Sequence, residues 1–363
     1  MTHTHIDQLK TRRLVRTGIT AYDKELACPG YVLFSPLYGH TTYLMALDGT
    51  FVHQWEHEHV PGLSGYVTPQ GTLFYSAKVR DSTWDIFPIW SLFKGGLLQE
   101  YDWDGNIVWE HVHEYIHHDA RKMDHGGAMY LSMEQVPPEI EKRVQGGVKL
   151  DDLPMWTDVI IEVDKNGNKI WEWRALDHMD VALDHIAPNV PRWEWTHGNA
   201  VVPLDDNRVL ISMRNTSTLA IIDKKSGKFL WKIGDELLGG QHDPSMLANG
   251  NILVYDNGIY RTHDWLTHSK VLEINPKTNE VEWEYADAPW WDFYSPTVSG
   301  AQRLPNGNTL ITEGTAGRMF QVTHEGQVVW EYVNPFFNIN PRDWEVNMVF
   351  RGRHYMEDEL PQL

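Results

Sequence analysis

The chain has 363 residues, 42% hydrophobic and 22% charged, the balance of an ordinary soluble globular protein rather than a disordered or membrane-embedded one. A formal charge of −19 argues against nucleic acid as a partner, since phosphate backbones need a clustered basic surface; an anionic substrate would have to be held by local cations in a cleft. No stretch approaches the roughly 18 apolar residues of a membrane span, no signal-like run opens the chain, and a single cysteine, Cys28, allows no internal disulfide. The expectation is a cytoplasmic protein with no membrane partner, or a periplasmic one if an export signal has been removed.

In chain order, residues 1–30 read as an N-terminal extension, 31–352 as a repeated β-rich unit and 353–363 as a tail. Trp55, Trp109, Trp171, Trp231, Trp283 and Trp330 share one local pattern, spaced by 54, 62, 60, 52 and 47 residues. That period suits a four-stranded propeller blade with variable loops. Tight turns precede most of them, at Asp104-Gly105-Asn106, Asn166-Gly167-Asn168, Ser226-Gly227-Lys228 and Glu325-Gly326-Gln327. An earlier set lies at Gln70-Gly71, His125-Gly126-Gly127, Asp206-Asn207, Asn249-Gly250-Asn251 and Asn306-Gly307-Asn308. Each unit thus reads as strands a, b, c and d. The fourth shows it most plainly, with strands near 199–204, 208–213, 218–223 and 229–233. The fold class is all-β, a six-bladed β-propeller of four-stranded antiparallel blades. The first unit opens at Tyr31-Val32-Leu33-Phe34 and lacks strand a, so the C-terminal run Val346-Asn347-Met348-Val349-Phe350 is expected to close the ring.

Strand alternation sorts the connections: short a–b and c–d hairpins fall on one face, long b–c loops and d–a links on the other. The second face is therefore the functional one. There the d–a links deliver His118, His197, His242 and Ser299 to the starts of innermost strands. The b–c loops open with His40, Lys78, Arg80, Glu134, Arg214, Arg261, Glu313 and Arg318, with Tyr260 and Thr315 beside them. A lone histidine at a strand start is ordinarily structural, but three in register on one channel point to chemistry. His118, His197, His242 and Arg261 are the candidate catalytic residues. His40, Glu134, Arg214, Tyr260, Trp193, Phe293, Tyr294, Ser299, Thr315 and Arg318 are candidate substrate contacts. Insertions at 78–96 and 134–156 and the link 174–196 carry Trp84, Phe87, Trp90, Phe93, Trp156, Trp193 and Trp195, and Trp290, Trp291, Phe293 and Tyr294 precede the sixth unit. These aromatics could stack on a planar substrate or staple a lid to the propeller.

From Pro29-Gly30-Tyr31 to Val349-Phe350-Arg351 the chain resembles the bacterial arylsulfate sulfotransferase family of six-bladed propellers. The matching pieces are His117-His118-Asp119, His197-Gly198-Asn199 through Arg214 to Trp231-Lys232-Ile233-Gly234, Gln241-His242-Asp243 through Asp256-Asn257-Gly258 to Arg261, Ser299-Gly300-Ala301-Gln302, and Leu304-Pro305-Asn306-Gly307-Asn308. The resemblance implies sulfuryl transfer between phenols through a sulfated histidine, without a nucleotide donor or other cofactor. It makes His197, His242 and Arg261 the counterparts of the family's channel histidines and arginine. The departures are two. The nucleophilic histidine is expected in the b–c loop of blade six, where this chain has Glu313-Gly314-Thr315-Ala316-Gly317-Arg318, so His118 or His40 would have to take its role. The signal peptide of exported members is also not seen.

Two rivals stand beside this reading. Three imidazoles, His118, His197 and His242, with His40 or Glu134 as a fourth ligand, could hold zinc, copper or iron for hydrolytic, lyase or oxidative chemistry, although Arg261 would repel a cation. A non-enzymatic binding propeller is the other. The expected partner is a small aromatic or phenolic molecule, and the long insertions leave a homodimer open.

Overall fold

The computed structural model describes residues 16–79, 85–262 and 264–363. Six antiparallel blades surround one channel. Blade four runs outward as Gly198–Pro203, Arg208–Met213, Thr218–Asp223 and Phe229–Ile233, within one residue of the sequence expectation. Its turns, and those of the other blades, form where glycine and its neighbours make them cheap. In the c–d turn of blade two, Gly105 takes φ 85° while the Asp102 carboxylate accepts the Asn106 backbone N–H at 2.8 Å.

The core is distributed as seams between blades. Strand b of blade four shows why: Leu210 packs toward blade five, while Val209 and Ile211 pack toward blade three. Successive side chains alternate across a strand, so a strand covered on both faces reads as a continuous apolar run. One seam joins each adjacent pair of blades. A seventh cluster, including Leu37, Leu63, Trp90, Phe93 and Phe350, fills the channel mouth.

The repeated tryptophans fasten the ring. Each indole N–H donates to the c–d turn of the next blade: Trp55 to the Asp102 carbonyl (3.0 Å), Trp109 to Lys165 (3.0 Å), Trp171 to Lys224 (2.9 Å) and Trp283 to His324 (2.7 Å). Trp231 donates to the Asn279 side chain (2.8 Å), and Trp330 joins blade six to blade one through the Leu47 carbonyl (2.8 Å). The periodicity in the sequence is therefore that of an inter-blade hydrogen bond.

A C-terminal strand closes the ring, but not the expected one. Arg353–Tyr355 pairs with the first strand, with Tyr31 opposite Tyr355 and Leu33 opposite Arg353. The run expected to do so, 346–350, lies just before it. Glu345–Val346 forms a small hairpin with Asn338–Ile339, and Val349 and Phe350 bury at the mouth. Apolar content suggested 346–350, but the closing strand is polar because its side chains have buried partners. Arg353 binds Asp243, and the His354 ring meets the Cys28 carbonyl. The assigned boundaries of 31 and 352 are corrected at the other end too. Gly18–Tyr22 adds a fifth, outermost strand to blade six, with Gly18 opposite Val333 and Tyr22 opposite Trp330.

Candidate functional site

Innermost strands do not start as regular β-structure. In blades two to five the ladder slips at that point, between Pro61 and Gly65, His117 and Ala120, Gly198 and Ala200, and His242 and Ser245. Left-handed backbone accompanies the slips: φ is 132° at Leu63, 50° at His118, 53° at His197 and 53° at Asp243, with 90° at Ser299 in blade six. Such bulges re-aim side chains, and each non-glycine residue held there costs on the order of 1–3 kcal/mol. The result is a ring of residues at the mouth: Leu63, His118, His197, His242, Ser299 and, from the segment that leads into the closing strand, Phe350. Blades three, four and five supply imidazoles; the remaining three supply a hydroxyl and two apolar groups.

The imidazoles are close and covered. His118 and His197 have ring centroids 4.6 Å apart. Phe93, from the short helix Trp90–Phe93 in the first insertion, stacks on His118 at 4.6 Å and meets His197 edge-on at 4.7 Å. Phe350 lies 6.4 Å from both His118 and His242. Each ring is anchored through Nδ1. That of His118 meets His117 Nδ1 at 2.8 Å, that of His197 meets a Glu194 carboxyl oxygen at 2.8 Å, and that of His242 meets Asn257 Oδ1 at 2.6 Å. The Asn257 amide is oriented by donation from Nδ2 to the Ser295 and Val298 carbonyls, so His242 Nδ1–H is the donor and its Nε2 carries the lone pair.

Burial, first of all, holds all three histidines well below the ordinary imidazole range. The Arg214 charge is the next cause for His197 and His242, and for His118 it adds to the neighbouring imidazoles. Burial and then Asp158 push the Glu194 carboxyl well up. Burial would raise Asp158 too, but hydrogen bonds from His117, Thr196 and the Gly198 N–H outweigh it. The site therefore presents neutral imidazoles, a carboxyl that burial pushes toward its protonated form, and a cation on the side of Tyr260.

That cation is Arg214, not Arg261. The Arg261 guanidinium is taken up by Asp256, by Asp264 at 2.7 Å and by the His268 carbonyl. Arg214 stacks over Tyr260 at 4.9 Å and makes a long 3.5 Å contact with Asn215; its buried Nε has no hydrogen-bond partner among the described residues. Tyr260 and Tyr294 both feel the Arg214 charge and stand on this side of the mouth.

The other expected contacts lie elsewhere. Glu134 is bound by Arg174, with Nε at 2.9 Å, and His40 is exposed, its Nδ1 3.0 Å from the His57 carbonyl. Arg318 is held by Glu331 at 2.5 Å and Glu313 at 3.2 Å. Phe293 is fully buried against Tyr255, Tyr285 and Phe320 as core. Ser299 and Thr315 tie the mouth together: Ser299 Oγ accepts the Gly314 N–H at 3.0 Å, and Thr315 Oγ1 lies 2.6 Å from Ser295 Oγ. Trp193 donates to Asp151 at 3.0 Å within the second insertion and its link. Arg80 and Trp84 lie outside the described residues. Among those described, no group of three or more His, Cys, Asp or Glu side chains is arranged to hold a metal ion.

Sequence reasoning missed Glu194, Asn257 and Phe350 as parts of the site, whereas Phe93 was among the insertion aromatics expected above the mouth. Glu194 had a local signal, three residues before His197. Phe350 was hidden because the closing strand had been placed on top of it.

Among solved structures, the fold resembles a protein of unknown function from Bacteroides caccae, with a TM-score of 0.56 at 14% identity over 91% of this chain and 100% of that one. A second likeness, to the β-propeller domain of Swd1 from Myceliophteria thermophila, has a TM-score of 0.49 at 9% identity over 94% and 98%. No curated protein matches the chain. The family model described as arylsulfotransferase (ASST) matches residues 93–335, more than half of the chain and all three mouth histidines, and so the chain belongs to the arylsulfotransferase family.

Proposed function

We propose that the protein transfers a sulfuryl group between phenols at this mouth, with His242 as the covalent carrier. The observation that carries the reading is Arg214, a cation with an unpartnered Nε that faces three imidazoles kept neutral by burial. An aryl sulfate is an anion with a planar apolar body. Arg214 would neutralise its oxygens, while Tyr260, Tyr294 and Phe93 offer faces to its ring.

The proton inventory gives each histidine a role. His242 Nε2, with its lone pair fixed by Asn257, attacks sulfur as the bond from sulfur to the phenolic oxygen breaks. The departing oxygen needs a proton. Glu194, neutral through burial, donates to His197 Nδ1 and leaves His197 Nε2–H as donor. As Nε2 gives its proton to the phenolate, Nδ1 takes one from Glu194. The acceptor phenol reverses the sequence: it returns its proton through His197, and its oxygen takes the sulfuryl group from His242. No metal enters this scheme.

The test is transfer from para-nitrophenyl sulfate to phenol by the purified protein, followed by mass spectrometry of the quenched enzyme. The expected result is nitrophenolate release that depends on acceptor, with a sulfuryl increment on the peptide carrying His242. Absence of transfer, or an adduct on another histidine that survives His242→Asn, would overturn it.

A further inference from the structure

Resting on that reading of the site, we infer that Arg351 is a positioning residue: one guanidinium inside the channel ties together the three strands that carry the histidines. Its side chain is 1% exposed. Nη1 lies 3.3 Å from Asp119 and 3.1 Å from Asp243, the residues that directly follow His118 and His242. Nη2 donates to the carbonyl of Asn199, two residues after His197, at 3.3 Å. The preceding residue completes the contact, because Phe350 faces the rings of His118 and His242 and lies 4.4 Å from the Arg351 guanidinium.

The geometry explains why a clamp is needed. His118, His197 and Asp243 hold left-handed backbone, a conformation that persists only where the surroundings over-determine it. Three bulged strands from three blades share no direct ladder through which their registers could be set. The planar fork of arginine engages two carboxylates and a carbonyl with its donors held at fixed angles, which the rotatable ammonium of lysine does not provide. Because Arg351 lies just before the closing strand, the imidazoles reach their working arrangement only when the C-terminus has seated.

The test is Arg351→Met in the full chain, with Tyr355→Phe as the comparison. Methionine keeps the packing on Phe350. The two carboxylates retain partners: Asp119 with Arg121 and the Val201 N–H, and Asp243 with Arg353. Tyr355→Phe weakens the same closing strand by removing the Val67 N–H bond to the phenol oxygen, but touches no histidine neighbour. Arg351→Met is expected to lower kcat about 100-fold with KM for the phenol within about threefold, the signature of misplaced groups rather than lost binding. It also shifts the imidazole NMR signals of His118, His197 and His242, whereas Tyr355→Phe leaves both kcat and those signals unchanged. Unchanged signals in Arg351→Met, or equal changes in Tyr355→Phe, would overturn the inference. If the wild type transfers no sulfuryl group but Arg351→Met alone moves the three signals, the clamp stands and the sulfuryl reading falls.

Discussion

At the scale of single residues, two arginines that look alike in the sequence have opposite fates. Arg261 is buried between Asp256 and Asp264, so removing it leaves Asp256, fully buried, without its cation. Arg261→Met should therefore destabilise by about 3–5 kcal/mol, read from urea unfolding, with turnover per folded molecule little changed. Arg214 has no such partner, so Arg214→Gln should leave the unfolding midpoint nearly in place. It should lower kcat/KM by about 10²–10³, the usual loss when a donor to a transferring group is removed. Equal stability losses in both variants would reverse these assignments. Asn257 acts through His242: Asn257→Ala frees the imidazole tautomer and should slow formation of the covalent adduct by about 10–100-fold, measured in single-turnover quenching.

Elements carry the closure of the ring. Trp330 bridges blades six and one, so Trp330→Phe removes a buried donor and orphans the Leu47 carbonyl at the seam. A loss of about 1–3 kcal/mol is expected in urea unfolding, against less at Trp109, whose indole bond lies at the exposed rim. The two terminal strands differ in kind. Removing residues from 353 onward bares the strand Tyr31–Phe34 along a channel edge and should produce aggregation, visible by light scattering. Removing the strand Gly18–Tyr22 takes the outermost strand of blade six, and the closed ring should remain monodisperse with a lower melting temperature.

For the whole molecule, the many buried imidazoles set the response to pH. His53, His57, His111, His113, His118, His178, His197, His242 and His354 all have pKa values lowered first by burial, that of His57 to about 3. A depressed imidazole pKa means that the folded state binds fewer protons than the unfolded chain below about pH 6.5, so stability is full above that value and falls on acidification. Glu194, Asp256 and Glu313, raised by burial, act in the opposite sense but are fewer. Calorimetry should show a melting temperature that drops from pH 7 to pH 5, with uptake of about two or more protons on unfolding at pH 5.5. A flat profile would mean that the histidines are not buried neutral. Much of this architecture was legible beforehand. The tryptophan period, the turn residues and strand alternation determined six blades, the face on which the long loops gather and the shared rim of His118, His197 and His242, because these depend on local spacing and on a repeat that carries equivalence from blade to blade. Tertiary structure alone decided which arginine stays available, which strand closes the ring, and how Glu194, Asn257 and Arg351 support the imidazoles. Those outcomes turn on contacts between residues far apart in the chain, where a buried carboxylate such as Asp256 or Asp243 claims whichever cation folding brings to it.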